Sequence, residues 1–210
     1  MTQNTAPHIG VLAIQGDYER HAAALEEAGA QASLIKTADA LRLKDESGSQ
    51  SGTELLDGLI LPGGESTTML NFLNRGGLFD ALKAFAEQKP VFGTCAGAIL
   101  LAREVRHPAQ ASLGILDIAV ERNAYGAQRD SAILTLETKL PGGSLETVFI
   151  RAPRIVSIGP QVEILAEREG FPVFVRHGKT MAATFHPELS ADRRVHRLFV
   201  DLVDTEKKSQ

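Results

Sequence analysis

Two short stretches hold the residue types and spacing that nucleophilic chemistry needs. In Gly93-Thr94-Cys95-Ala96-Gly97 the single cysteine of the sequence sits between two glycines, where the apolar run "PVFGTC" passes into the helical pattern "AGAILLARE". Far along the chain, "TMAATFHPELS" is an apolar strand pattern that ends in His186-Pro187-Glu188. A thiol attacks well when a base takes its proton, and an imidazole is a good base when a carboxylate fixes its tautomer. Cys95, His186 and Glu188 supply one group of each kind. The alternative for a lone cysteine, which has no partner for a disulfide, is a small buried core residue.

Each stretch needs a particular local geometry. Gly-x-Cys-x-Gly has the spacing of a nucleophile elbow, in which small neighbours allow a tight strand-to-helix turn that projects the reactive side chain. The helix that follows aims its partial positive end and its free amides at the sulfur, which favours the anionic form; the amide of Ala96 can donate to a developing oxyanion. In an extended His-Pro-Glu segment, side chains two apart lie on one side, so the carboxylate of Glu188 is expected to reach His186. "LILPGGEST" ends another strand pattern, and an amide near Gly64 would supply a second oxyanion donor; its alternative is an ordinary turn with Ser66 or Thr67 as a helix cap.

The remaining groups are weaker candidates. His8, His21, His107, His177 and His196 lie at a strand start, on helix faces or in loops, where solvated or structural roles are expected. No HExxH, paired cysteines or histidine pair at ligand spacing is present, so no metal is expected. No two glycines stand two apart, which excludes a GxGxxG dinucleotide loop, and "LPGGEST" lacks the lysine of a phosphate-binding loop.

The elements that must carry these residues follow from periodicity. "HIGVLAIQG", "QASLIK", "LLDGLILPGG" and "PVFGTC" read as strands; "DYERHAAALEEAG" and "STTMLNFLNRGGLFDALKAFAEQ" read as helices, the latter broken at Gly76 and Gly77. Alternation of this kind predicts an α/β fold, a parallel sheet covered on both faces in a three-layer sandwich. From "GILDIAVERN" to "TMAATFHPEL", seven short strand patterns predict antiparallel additions to the same or a neighbouring sheet, and "ADRRVHRLFVDLVDTEKKSQ" predicts an amphipathic helix with a frayed polar tail. At 210 residues and 43% hydrophobic, the chain is expected to form one domain over 1–210, with flexible ends at 1–7 and 205–210 and a surface insertion at 44–53. A net charge of −4 without charge blocks gives no sign of nucleic-acid or membrane binding, and the absence of a leader or apolar span predicts a cytoplasmic protein.

Taken together, "LPGGEST", "GTCAGAILLA" and "FHPEL" resemble the class I, triad-type glutamine amidotransferases, and "GVLAIQG", "VERNAYGAQ" and "FIRAP" are similar to the glutaminase subunits of pyridoxal 5′-phosphate synthases. The likeness covers nearly the whole chain. It implies release of ammonia from L-glutamine through a γ-glutamyl thioester on Cys95, with His186 and Glu188 as relay. Glutamine contacts are implied at Gly64, Glu65, Ser66, Arg122, Ile150 and Arg151. No cofactor is implied. The implied partner is a (β/α)8 synthase subunit that uses the ammonia to make pyridoxal 5′-phosphate in a large hetero-oligomer, its docking flipping the Gly63-Gly64 peptide. The lead before His8, the insertion around 44–53 and the run after Tyr125 depart from the family pattern. Other readings are the glutaminase of another synthase, such as imidazole glycerol phosphate synthase, or a non-enzymatic binding protein of similar fold, in which a carboxylate would stand beside the thiol.

Overall fold

The computed structural model describes residues 5–41, 55–122 and 131–209. The insertion expected at 44–53 and the segment 123–130 lie outside the described residues. The chain alternates β1 (His8–Leu12), α1 (Tyr18–Glu27), β2 (Gln31–Ile35), β3 (Gly58–Leu61), α2 (Ser66–Leu73), α3 (Leu78–Gln88), β4 (Val91–Thr94) and α4 (Ala96–Leu101). There follow β5 (Ala102–Arg106), β6 (Leu116–Glu121), β7 (Ala132–Leu136), β8 (Leu145–Phe149), β9 (Arg154–Ile158), β10 (Glu163–Arg168), β11 (Phe171–His177), β12 (Thr180–Ala183) and α5 (Arg194–Lys208). The break in the long helical pattern falls at Gly76 and Gly77, both at positive φ.

A seven-stranded sheet of order β10-β11-β12-β4-β3-β1-β2 forms the centre. Strands β2, β1, β3, β4 and β12 run parallel; β11 and β10 are antiparallel additions. Alternate residues leave the sheet on opposite faces, and each face has its own core. Leu12, Leu59, Leu61 and Val91 pack with Met69, Leu82 and Phe85 of α2 and α3. On the other side Ile9, Val11, Ile60 and Phe92 pack with Leu25 of α1 and Val195, Phe199 and Val203 of α5. Phe92 holds Phe199 at 5.7 Å and Phe174 at 6.3 Å between ring centres. Full burial of such a ring contributes about 1.5–3 kcal/mol. This is the expected α/β sandwich with a mainly parallel sheet.

Three expectations need correction. The helix read over "AGAILLARE" stops at Leu101, and "AREVR" becomes β5, a partner of β6 in a separate sheet of order β5-β6-β9. Pairing with β6 wins because it buries Ala102 and Val105 while Arg103 and Glu104 stay exposed. Not all later strands are antiparallel: β12 pairs parallel with β4, and β6 parallel with β5. The polar end read as frayed from residue 205 is helical through Lys208, where Thr205 Oγ1 donates to the Asp201 carbonyl and Lys208 pairs with Asp204.

Candidate active site

Because β1, β3, β4 and β12 are parallel, the loops that leave their carboxyl ends gather at one edge of the sheet. These loops begin at Ala13, Pro62, Cys95 and Thr184. At the β4-α4 junction Cys95 takes φ 48° and ψ −105°, a conformation that costs of order 1–3 kcal/mol for a residue with a side chain. The surroundings hold it there: its amide donates to the Ala183 carbonyl at 2.8 Å, and its carbonyl accepts from Ile99 at 3.3 Å. Both flanking glycines are mechanical necessities. A methyl group at Gly93 would lie 2.6 Å from the Gly97 carbonyl, and one at Gly97 would lie 1.9 Å from the Leu61 oxygen. The thiol is almost enclosed, with the Ile150 carbonyl 4.0 Å from Sγ.

His186 leaves β12 toward the same point, and its ring and the Cys95 side chain both border Gly63. Its Nδ1 lies 2.7 Å from Glu188 Oε1. A side chain at Gly63 would meet the His186 ring at 2.5 Å and Cys95 Cβ at 3.4 Å, so the glycine loop after β3 closes over both. The route from His186 to Glu188 differs from the expected extended segment. Pro187 begins a 3-10 turn, Pro187–Leu189, because its fixed φ and missing N–H suit a first helical position, and the turn folds the carboxylate back under the ring. The neighbour of the thiol is thus an imidazole, not the carboxylate of the binding-protein alternative.

Burial opposes charge on both relay groups, and their partners overcome it. The ring of His186 is raised to about 10 because hydrogen bonds to Cys95 and Glu188, with their electrostatic attraction, outweigh desolvation. Glu188 is held far below the usual carboxylate range against its own desolvation, by the closeness of His21 to Oε2 and the bond to His186. The protonated form of the ring is thereby favoured, the form that pairs with the Glu188 carboxylate.

The binding rim is built differently. Glu65 caps α2, accepting from the amides of Thr67 at 3.1 Å and Thr68 at 2.7 Å. Although burial resists its charge, these threonines hold its carboxyl below the ordinary value. Arg122 reaches from the end of β6 to Glu65 Oε1 at 3.1 Å and Thr67 Oγ1 at 2.8 Å. Ser66 is buried and donates to Gln110 Oε1 at 3.1 Å. Gly64, at φ +143°, packs against Gln15, whose Oε1 accepts from the Glu65 amide at 3.1 Å. Ile150 stands at the thiol, and Arg151 follows it exposed at φ 45°. Ala96 opens α4, whose first amides have no acceptor within the helix.

Gln15, Gln110, His21 and His196 are the supporting residues that sequence reasoning missed. Gln15 ends the run "GVLAIQG" at a parallel strand's carboxyl end, which was a usable signal. His21 and His196, expected as solvated or structural, are both fully buried; His177 and His107 stay near the surface. Among the described residues no group of three or more His, Cys, Asp or Glu side chains is placed to hold a metal ion, and no helix is long and apolar enough to cross a membrane.

Comparison with known proteins places the chain in a family. The model of the SNO glutamine amidotransferase family matches residues 11–205. The chain belongs to that family. Among curated relatives, the pyridoxal 5′-phosphate synthase subunit PdxT of Koribacter versatilis is 53% identical over 93% of this chain and 95% of its own length. The protein of the same name from Solibacter usitatus is 49% identical, over 91% of this chain and 97% of its own. A crystal structure described as a glutamine amidotransferase superposes with a TM-score of 0.80 at 42% identity, covering 93% of this chain and 98% of that one. PurLQS from Thermotoga maritima, at 16% identity and a TM-score of 0.62, shares the fold.

Proposed function

We propose that this protein is the glutaminase subunit of a pyridoxal 5′-phosphate synthase, hydrolysing L-glutamine to L-glutamate and ammonia. The observation that carries the reading is the His186 ring set between the Cys95 thiol and the Glu188 carboxylate in a family of glutamine amidotransferases. Cys95 sulfur attacks the side-chain amide carbon of glutamine while His186 holds the proton. The tetrahedral oxyanion is stabilised by the amides of Ala96 and Gly64. Collapse transfers the His186 proton to the departing ammonia and leaves a γ-glutamyl thioester on Cys95. Water, activated by the now neutral ring, hydrolyses the thioester and returns the thiol.

Arg122, with Glu65 and Ser66 behind it, and the Ile150-Arg151 segment bind the amino-acid end of the substrate. The names of the relatives, each a subunit of a pyridoxal 5′-phosphate synthase, support a synthase partner as recipient of the ammonia, and we take that partner to be a (β/α)8 subunit in a cytoplasmic hetero-oligomer. The test is ammonia release from glutamine with and without the synthase subunit, together with trapping of the thioester on Cys95 by mass spectrometry. A thioester on Cys95 is the expected result. Turnover that survives Cys95→Ala would overturn the assignment.

A further inference from the structure

The hydrogen-bonded chain that begins at Cys95 does not end at Glu188. Oε1 of the carboxylate is engaged by His186, but Oε2 is buried and has no aligned hydrogen bond; its near polar neighbour is His21 Nε2 at 3.2 Å. His21 projects from α1, is completely buried, and is held at both nitrogens. Nδ1 lies 3.0 Å from His196 Nε2 of α5, and Nε2 lies 3.1 Å from Thr94 Oγ1, the residue before Cys95. One ring therefore ties α1, α5, the end of β4 and the Pro187–Leu189 turn together.

We propose that His21 is a positioning residue for this site, holding the second oxygen of Glu188 so that the first stays on His186. The proposal rests on the glutaminase reading above. The tautomers follow from the burial of the pair. His196 Nδ1 has no partner, and a buried bare lone pair costs less than a buried orphan N–H, so the hydrogen of His196 sits on Nε2 and is donated to His21 Nδ1. The hydrogen of His21 is then on Nε2, bonded to Thr94 Oγ1, with Glu188 Oε2 beside it at 3.2 Å. Burial, the largest cause, pushes His196 down to about 3, in keeping with a neutral ring. The charged and titratable groups around His21 are Glu188, with His186 beyond it, and His196 and Arg193 on α5; Arg193 pairs with Glu27 of α1 at 2.6 Å. A carboxylate oxygen left without this neighbour in a dry pocket would let Glu188 rotate and loosen its hold on the His186 ring.

The test compares His21→Gln, whose amide nitrogen reaches the place of Nε2, with His21→Asn, whose amide reaches only the place of Nδ1. Glutamine kcat and KM are measured on the full chain with the synthase subunit. The pH profile of Cys95 alkylation by iodoacetamide, followed by mass, is measured without turnover. The Asn variant is expected to lose about 10–100-fold in kcat, the scale of partners that orient a working histidine, with KM changed by less than about three-fold. Its alkylation midpoint should move up by about one pH unit, because a poorly held Glu188 supports the protonated His186 ring less well. The Gln variant should restore both. Leu25→Ala, which loosens the core under the same helix without touching Glu188, should leave the midpoint in place. Equal midpoints for the Gln and Asn variants, or a shift in Leu25→Ala as large as in Asn, would overturn the proposal. Failure of the wild-type chain to release ammonia would sink the glutaminase reading alone, since the alkylation profiles still decide the role of His21.

Discussion

The two halves of the site are held by different means. The nucleophile turn is fixed by main-chain contact: Cys95 is clamped to Ala183 and Ile99, and Gly97 lies against Leu61 with no room for a methyl group. The proposed binding rim is fixed by side-chain hydrogen bonds, with Glu65 half-exposed between the α2 amides and Arg122. Geometry that must not vary, the line from sulfur to imidazole to carboxylate, sits where rearrangement would require breaking the sheet. Recognition sits where hydrogen bonds can be exchanged for those of a ligand at small cost.

Substitutions on either side should break this contrast into separate effects. Cys95→Ala should reduce ammonia release by ~10⁵-fold or more while the far-ultraviolet circular dichroism stays that of the parent. Gly97→Ala should act through the fold itself: the methyl group must push Leu61 away, at about 3 kcal/mol, read as a lower urea midpoint with activity falling alongside. Arg122→Ala should raise the KM for glutamine by roughly 10–100-fold, the worth of a hydrogen bond to a charged group, and leave kcat within a few-fold. Glu65→Ala should be mildest, costing about 1 kcal/mol for the lost helix cap in thermal unfolding. A rim variant that lowers kcat as far as the Cys95 variant would show that the two halves are not separable.

The relay also sets a pH dependence with a definite sign. His186 binds its proton more tightly folded, at about 10, than at its ordinary 6.5, so its contribution to stability is complete below pH 6.5 and fades as pH rises toward 10. Glu188 is shifted the other way, and its contribution is lost in acid. Melting temperatures measured between pH 6.5 and 10 should fall more steeply for the parent than for His186→Asn; identical slopes would contradict the ion-paired relay.

How much of this was legible in the sequence depended on how local each cause is. The glycines around Cys95, the break at Gly76-Gly77 and the strands from β6 to β12 follow from spacing, which the sequence displays directly. β5 was hidden inside a helical pattern because what makes "AREVR" a strand is its partner β6, a tertiary fact. The turn at Pro187 was misjudged as extended because the same proline serves either conformation, and the packing of His186 against Val148 and Cys95 selects one. The His21-His196 contact joins residues 175 positions apart, and no periodicity announces a buried polar pair on two amphipathic helices.

The touching of Gly97 and Leu61 has one more consequence. Leu61 leads directly into the loop of Pro62 to Gly64, and Gly97 follows Cys95 by two positions, so this single contact sets the separation of the β3 and β4 turns. Lengthening or recolouring the rim cannot widen that gap. A wider separation would need a different spacing of strand and helix, so these two turns move only together.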